Sequence, residues 1–282
     1  MLFFNSARSL FIFSLICVGL THSSLGWASE PDSESMPMNY LIYGAGNGPF
    51  QIAPAFSDSN GTDSSYSDTF DEQIARGFIT DFIYELLREE NVKITPVVEP
   101  IKRMKRDILA GQFKPWITYG FRGWEAMPGW EGFHFLPQNL FEYTLSQVYY
   151  GDFVKPASTF SEFKDCRVIL IRGFSYQMVV EKLQEHGALV VYADNFAQAL
   201  RMLKYGRAEI FLGFDKRVKY VLQEMGLADD PFHLSPFMHG QLKGYATLMM
   251  SDDIPQPMVD RLTDRVQAMI DSGRWQALWD RY

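Results

Sequence analysis

Cysteine is nearly absent from this chain. Only two of the 282 residues are Cys, and Cys17 lies in an N-terminal segment that reads as a leader. Cys166 is then alone. No internal disulfide can form, and stability must come from burying a core. Positive charge is also in short supply: 26 Lys and Arg face 34 Asp and Glu, for a formal net charge of −8. That balance argues against nucleic acid or an anionic membrane as partner. No apolar run is long enough to span a bilayer comfortably. The histidines outside the leader, His134, His186, His233 and His239, have no spacing that sets two ligands on one helix face. No cysteine pair accompanies them, so neither a metal nor a cofactor is expected. A phosphate loop is missing. Gly173-Phe174-Ser175 starts like a nucleophile elbow, but Gln177 breaks the motif. Nothing compels an enzyme, and no catalytic residue is assigned.

What is present begins with the leader. Arg8 is the only charged residue among the first 28, an apolar run from Leu10 to Leu20 follows it, and the segment closes on Gly26-Trp27-Ala28. This pattern predicts a secretory signal peptide over residues 1–28, cleaved after Ala28. A soluble, exported protein of about 250 residues follows, long enough for one large domain or two smaller ones.

The most informative stretch is residues 168–215. VILIRG is an apolar run ending in a glycine corner, Gly173-Phe174-Ser175-Tyr176. A helical pattern follows through Val179 and Leu183. Then come LVVYAD, a second helical run through Phe196, Ala199, Leu200 and Leu203, and EIFLGFD. Strands alternating with helices of this length predict a parallel α/β sheet, and such sheets bind ligands beyond their carboxyl strand ends. A second α/β unit is predicted before residue 142. Its strands cover 39–45, 92–98 and 116–119, and its helices cover 78–87 and 101–109. Strands are also expected at 144–150 and 245–250, with helices at 218–225 and 257–270. Residues 57–71 are rich in Ser, Asp, Asn and Gly and read as a long loop.

Candidate binding residues are those at strand ends. Ser175 begins a helix, where free N–H groups either cap that helix or hold an anion. Asp215 either meets a ligand ammonium or pairs with Lys216 or Arg217. Arg122 either forks onto a carboxylate or lies on the surface. Arg103 belongs to a basic helix whose default is a solvated face. Phe50, Trp116, Tyr119, Phe174 and Tyr176 either pack in the core or stack on a ligand.

Several segments together resemble the periplasmic solute-binding proteins of ABC transporters, in the family that includes the polar amino-acid receptors. They are Pro49-Phe50, Gly77-Phe78 with Asp81-Phe82, Leu109 to Phe113, Gly173-Phe174-Ser175, the Leu203 to Glu209 turn, and the closing Ser272-Gly273-Arg274-Trp275. Pro100 with Arg103 is similar to a Pro-x-x-Arg feature of a divergent branch. The resemblance implies a two-lobed α/β fold of the type II binding-protein kind. The first lobe would comprise residues 29–142 and 243–282, the second 143–242, with a ligand cleft between them. It implies a periplasmic monomer, a small polar solute captured by hinge closure, and an inner-membrane permease as partner.

This chain departs from the receptor pattern at several anchors. Ile79 replaces the first Asp, Lys114-Pro115 replaces a later one, and no Arg lies six residues before Phe135. Counting from Gly206 puts Phe214, not Asp215, where the receptors hold the acid for the ligand's amino group. No named amino acid is therefore assigned. Two alternatives are kept. One is an enzyme on the same scaffold, resembling cyclohexadienyl dehydratases, with Glu142 or Asp215 as its acid or base. The other is a sensor or interaction module without transport, using the 57–71 loop.

Overall fold

The computed structural model describes residues 35–44, 48–53, 75–152, 156–174, 176–240 and 243–282. The leader, the 57–71 loop and Ser175 lie outside the described residues.

Two sheets share one strand. The first is built from β1 (Met36–Tyr43), β2 (Val92–Glu99) and β3 (Trp116–Phe121), with α1 (Phe78–Leu87) and α2 (Ile101–Leu109) as crossovers. β1 runs parallel to both β2 and β3. The two-residue β4 (His134–Phe135) and the long β5 (Phe141–Tyr150) follow. The second sheet contains β6 (Arg167–Ile171), α3 (Gln177–Glu185), β7 (Leu189–Ala193), α4 (Phe196–Lys204), β8 (Ile210–Phe214), α5 (Asp215–Glu224) and β9 (Phe232–Pro236). The chain then returns to the first sheet through β10 (Lys243–Met250), antiparallel to β3, and closes with α6 (Gln256–Asp271) and α7 (Arg274–Trp279).

β5 belongs to both sheets. Its first residues, Phe141 to Thr144, pair with β10, whereas Leu145 to Val148 pair with β8. One strand thus leaves the first sheet and enters the second without a break.

The continuous apolar run of β6 has a direct explanation. Val168 and Leu170 point into one buried cluster, Ile169 and Ile171 into another on the opposite face. β8 divides in the same way, with Ile210 and Leu212 on one side and Phe211 on the other. A central parallel strand covered on both faces needs apolar side chains at every position. The predicted α/β unit over 168–215 has this form, with β6 parallel to β7 and β8.

Three differences from the sequence reading have simple causes. β5 begins at Phe141 rather than residue 144, because its first four residues find partners only when β10 arrives from distant sequence. β9 was not anticipated: it pairs only with β5, and Phe232 to Pro236 show no clean alternation. Asp215 does not end a strand but opens α5, in the helix's first turn.

Candidate functional site

The loop carrying Phe50 is held from two sides. Gln51 is buried; its Nε2 donates to the Leu41 carbonyl at 2.8 Å, and its Oε1 accepts from the Tyr43 N–H at 3.1 Å. From the other side, the N–H groups of Phe78 and Ile79 at the start of α1 donate to the carbonyls of Pro49 and Phe50, each at 3.0 Å. Gly77 makes this approach possible. Its φ is +106°, and a Cβ there would lie 2.6 Å from the Phe50 carbonyl oxygen. The result is a Phe50 ring stacked on Phe141 at 5.0 Å and tilted against Tyr119 at 6.2 Å. Tyr119 is placed by β3, and the Tyr43 hydroxyl donates to its carbonyl at 2.8 Å.

The second lobe contributes its glycine corner. Gly173, at φ +95°, turns the chain after β6. Phe174 then lies nearly parallel to Tyr176 at 6.0 Å and to Phe214 at 5.9 Å. Tyr176 is buried, and burial pushes its hydroxyl pKa up.

Between these two sets of side chains lies a cavity of about 700 Å³. Tyr43, Phe50, Tyr119, Phe121, Trp124, Phe141 and Tyr143 line it along β1 to β5; Phe174, Tyr176 and Phe214 line it from the second sheet. Its charged lining residues are Lys105, Arg172, Asp194, Arg217 and Lys243. A smaller hollow of about 80 Å³ shares Phe50, Phe141, Tyr143 and Phe214 with it and is otherwise lined by Glu142, Asp215, Lys216 and Trp279.

Of the residues singled out from sequence, Phe50, Tyr119, Phe174 and Tyr176 line the main cavity. The others are placed elsewhere. Trp116 is fully buried in the core of the first lobe, edge-on to Phe133 at 5.2 Å. Arg122 is engaged by its own lobe: it pairs with Glu125 at 2.6 Å and donates to the Asn139 side chain and the Gln138 carbonyl, both at 3.0 Å. It ties two loops together instead of presenting its fork to the cavity. Arg103 is exposed on α2, whose cavity-facing residues are Ile101 and Lys105. Asp215 faces the small hollow and lies 3.9 Å from Lys219, one helical turn on.

The main residue missed from sequence is Arg217. It is only 8 % exposed, with its guanidinium 4.3 Å from the centre of the Phe196 ring and 5.7 Å from that of Phe174. Burial draws its pKa down to about 10, opposed by the nearby Tyr119 and Tyr176. A signal existed. Arg217 is in the first turn of α5, where a cation opposes the helix dipole and has no local reason to be. Lys105 was passed over as one of four bases on α2. Its ammonium lies 4.1 Å from the centre of the Trp124 ring, and burial pulls its pKa down to about 8.

The lobes touch around the cavity. A Cβ on Gly48 would lie 2.4 Å from the Tyr220 ring of α5, and one on Gly173 would lie 3.4 Å from Ile101 of α2. The Lys216 ammonium of α5 sits 3.7 Å from the centre of the Trp279 ring of α7. Each contact joins an element of one sheet to an element of the other. Among the described residues, no helix is long and apolar enough to cross a membrane.

No protein-family model matches the chain, and no curated protein matches it. Solved structures do. A substrate-binding protein of an amino-acid ABC transporter superposes with a TM-score of 0.62 at 14% identity, covering 88% of this chain and 98% of that one. A structure described with glutathione import via GshT and the cystine ABC importer TcyBC of Streptococcus mutans gives 0.67 at 9% identity, covering 88% and 95%. An ancestral amino-acid-binding protein, a precursor of cyclohexadienyl dehydratase, gives 0.62 at 13% identity, covering 88% and 95%. At these identities the likeness is one of fold. The chain has the two-lobed α/β binding-protein fold with a cleft between its lobes, as the sequence resemblance implied.

Proposed function

We propose that this chain is a periplasmic solute-binding protein. It captures a small polar solute, amino-acid-like or an organic acid, in the cleft between its lobes and closes around it by hinge bending. The observation that carries this reading is the 700 Å³ cavity, whose walls come from both sheets. A ligand touching both walls is bound more tightly by the closed form, and that difference is what would drive closure. The first lobe is taken as residues 29–142 and 243–282, and the second as 143–242. The change of partner along β5 supports that division. Export follows from the leader over residues 1–28, and the onward partner is an ABC permease in the inner membrane.

The fold neighbour described as a precursor of cyclohexadienyl dehydratase keeps an enzymatic reading in view. That chemistry needs a carboxylate poised in the cleft. Glu142 instead has its pKa lowered, chiefly by its hydrogen bond with Lys243, and both Glu142 and Asp215 line the small hollow, not the main cavity. Binding is therefore the better-supported reading.

A thermal-shift screen of amino acids, amines, organic acids and small sugars tests it, with prephenate and arogenate turnover assayed in parallel. At least one solute should raise the melting temperature and contract the protein in solution scattering, and neither acid should be consumed. Turnover, or a panel in which nothing binds, would remove the reading.

A further inference from the structure

Four rings on the cavity wall are only half-buried. Phe121 and Tyr143 belong to strands of the first sheet, Phe214 ends β8 of the second, and Phe174 follows β6; all four line the cavity. They touch one another across the lobes. Phe121 meets Tyr143 at 4.8 Å, Tyr143 meets Phe214 at 5.0 Å, and Phe214 lies nearly parallel to Phe174 at 5.9 Å. Their uncovered surface therefore forms one aromatic patch in a concavity, not scattered single rings. Two methionines extend it. Met127, in the segment between β3 and β4, is 36 % exposed, and Met178 of α3 is 78 % exposed; both line the same cavity. Contiguous apolar surface of this kind marks a binding site, and the thioether of Met packs well against ring edges.

The polar side of the wall is largely drawn into contacts within the protein. Arg172 pairs with Asp194 at 2.9 Å and Lys243 with Glu142 at 3.2 Å; the Asn195 side chain caps α4, and the Tyr43 hydroxyl donates to the Tyr119 carbonyl. Lys105 and Arg217 lie over the rings of Trp124 and Phe196. Ten of the described lining residues are aromatic against five that carry charge, so rings make up much of what a solute meets. A ring gains more there than an aliphatic body of the same size. Both are buried, but only the ring sets a positive edge against a negative face. Space is sufficient: an apolar cavity of about 150 Å³ holds benzene, and this one, at about 700 Å³, has room for a ring and the rest of a solute.

We propose that the cleft takes a solute with an aromatic body, seated against Phe121, Tyr143, Phe174 and Phe214 and flanked by Met127 and Met178. It discriminates against saturated bodies that bear the same polar head. The proposal rests on the solute-binding reading and narrows it to one substrate class.

Three pairs of probes keep the head and change only the ring: 3-phenylpropionate with 3-cyclohexylpropionate, L-phenylalanine with L-cyclohexylalanine, and phenethylamine with 2-cyclohexylethylamine. Titration calorimetry on the mature protein should show the phenyl member of at least one pair binding about three- to tenfold more tightly than its saturated partner, the scale of one aromatic pair. Two variants locate the ring. Phe121→Leu and Phe174→Leu each keep an apolar side chain and remove an aromatic one, on either side of the cleft. Both positions are half-buried, so the unliganded melting temperature should stay near that of the parent. Each variant should reduce the preference for phenyl over cyclohexyl, while the cyclohexyl partner binds as it does to the parent. A merely structural role for these rings would weaken both members alike, and that result would overturn the assignment. Saturated members that bind as tightly as the phenyl ones, or a preference unchanged in both variants, would also overturn it and leave the solute-binding reading standing. If no pair binds and the wider panel yields only aliphatic solutes or sugars, the aromatic class is likewise overturned with that reading intact. If nothing in that panel binds, the solute-binding reading falls and this inference falls with it.

Discussion

Gly77→Ala should do more damage than its size suggests. Gly77 has φ +106° and ψ 155°, a region that residues with a Cβ essentially do not enter, at a cost on the order of 1–3 kcal/mol. An added Cβ would also lie 2.6 Å from the Phe50 carbonyl oxygen and 2.8 Å from that of Pro49. These are backbone atoms and cannot swing aside. The loop would have to retreat from α1, stretching the Phe78 and Ile79 N–H bonds to those two carbonyls, each worth about 0.5–1.5 kcal/mol net. Together these give roughly 2–6 kcal/mol. For a chain of this size that is a fall of about 4–24 °C in melting temperature. The assay is paired thermal and urea unfolding of Gly77→Ala and Gly111→Ala. Gly111 is also left-handed, at φ +75°, but a Cβ there meets nothing within 4 Å, so its alanine variant should cost only about 1 kcal/mol. Because Phe50 moves with the loop, Gly77→Ala should also weaken whatever the cleft binds, and Gly111→Ala should not. Equal destabilisation by the two variants would refute the close-approach argument and leave only backbone conformation as the reason for the glycine.

Two further outcomes are expected. Lys216→Met removes the contact between α5 and the Trp279 ring; a cation–π pair of about 0.5–1 kcal/mol at a partly exposed site should shift the open–closed balance about two- to fivefold toward open, which solution scattering of the unliganded protein reads directly. An unchanged scattering profile would show that the contact does not hold the lobes together. Anion binding should also weaken as pH rises through about 8, where Lys105 loses its proton. Burial lowers that pKa, so the cation that attracts the ligand is present below about 8 and lost above it. The other charged groups lining the cavity are Arg172, Asp194, Arg217 and Lys243, of which Arg217 is drawn down to about 10 and Lys243 is raised by Glu142. Lys105→Met should abolish the pH dependence between 7 and 9, as calorimetry at the two pH values would show.

Local pattern carried much of the fold into view. The double-sided apolar runs of β6 and β8, the amphipathic α4 with Asn195 accepting from the Gln198 N–H as its cap, and the glycine corner at 173 are short-range features. β4, β9 and the start of β5 were not legible, because each finds its hydrogen bonds on a strand far away in sequence. The candidate site divides along the same line. Phe50, Tyr119, Phe174 and Tyr176 reach the cavity from strand ends and the loops that follow them. Trp116 sits on β3 as Tyr119 does, but an odd number of positions away, so strand alternation sends its ring to the opposite face and into the core. Arg217 comes from inside a helix, two positions beyond Asp215, and residues at that separation do not share a helix face. That is why the cavity receives the cation and the small hollow receives the acid.

By itself the sequence determined the α/β class and the strand ends from which aromatic side chains reach a cleft, since hydrophobic period and turn chemistry are properties of neighbouring residues. Only the tertiary structure decided which charges share the cavity. Arg217 of α5 and Lys105 of α2 line one cavity although they are remote in sequence, and β5 pairs with strands of both sheets. The sign of a cleft is a sum over side chains brought together from remote parts of the chain, and no local pattern encodes that sum.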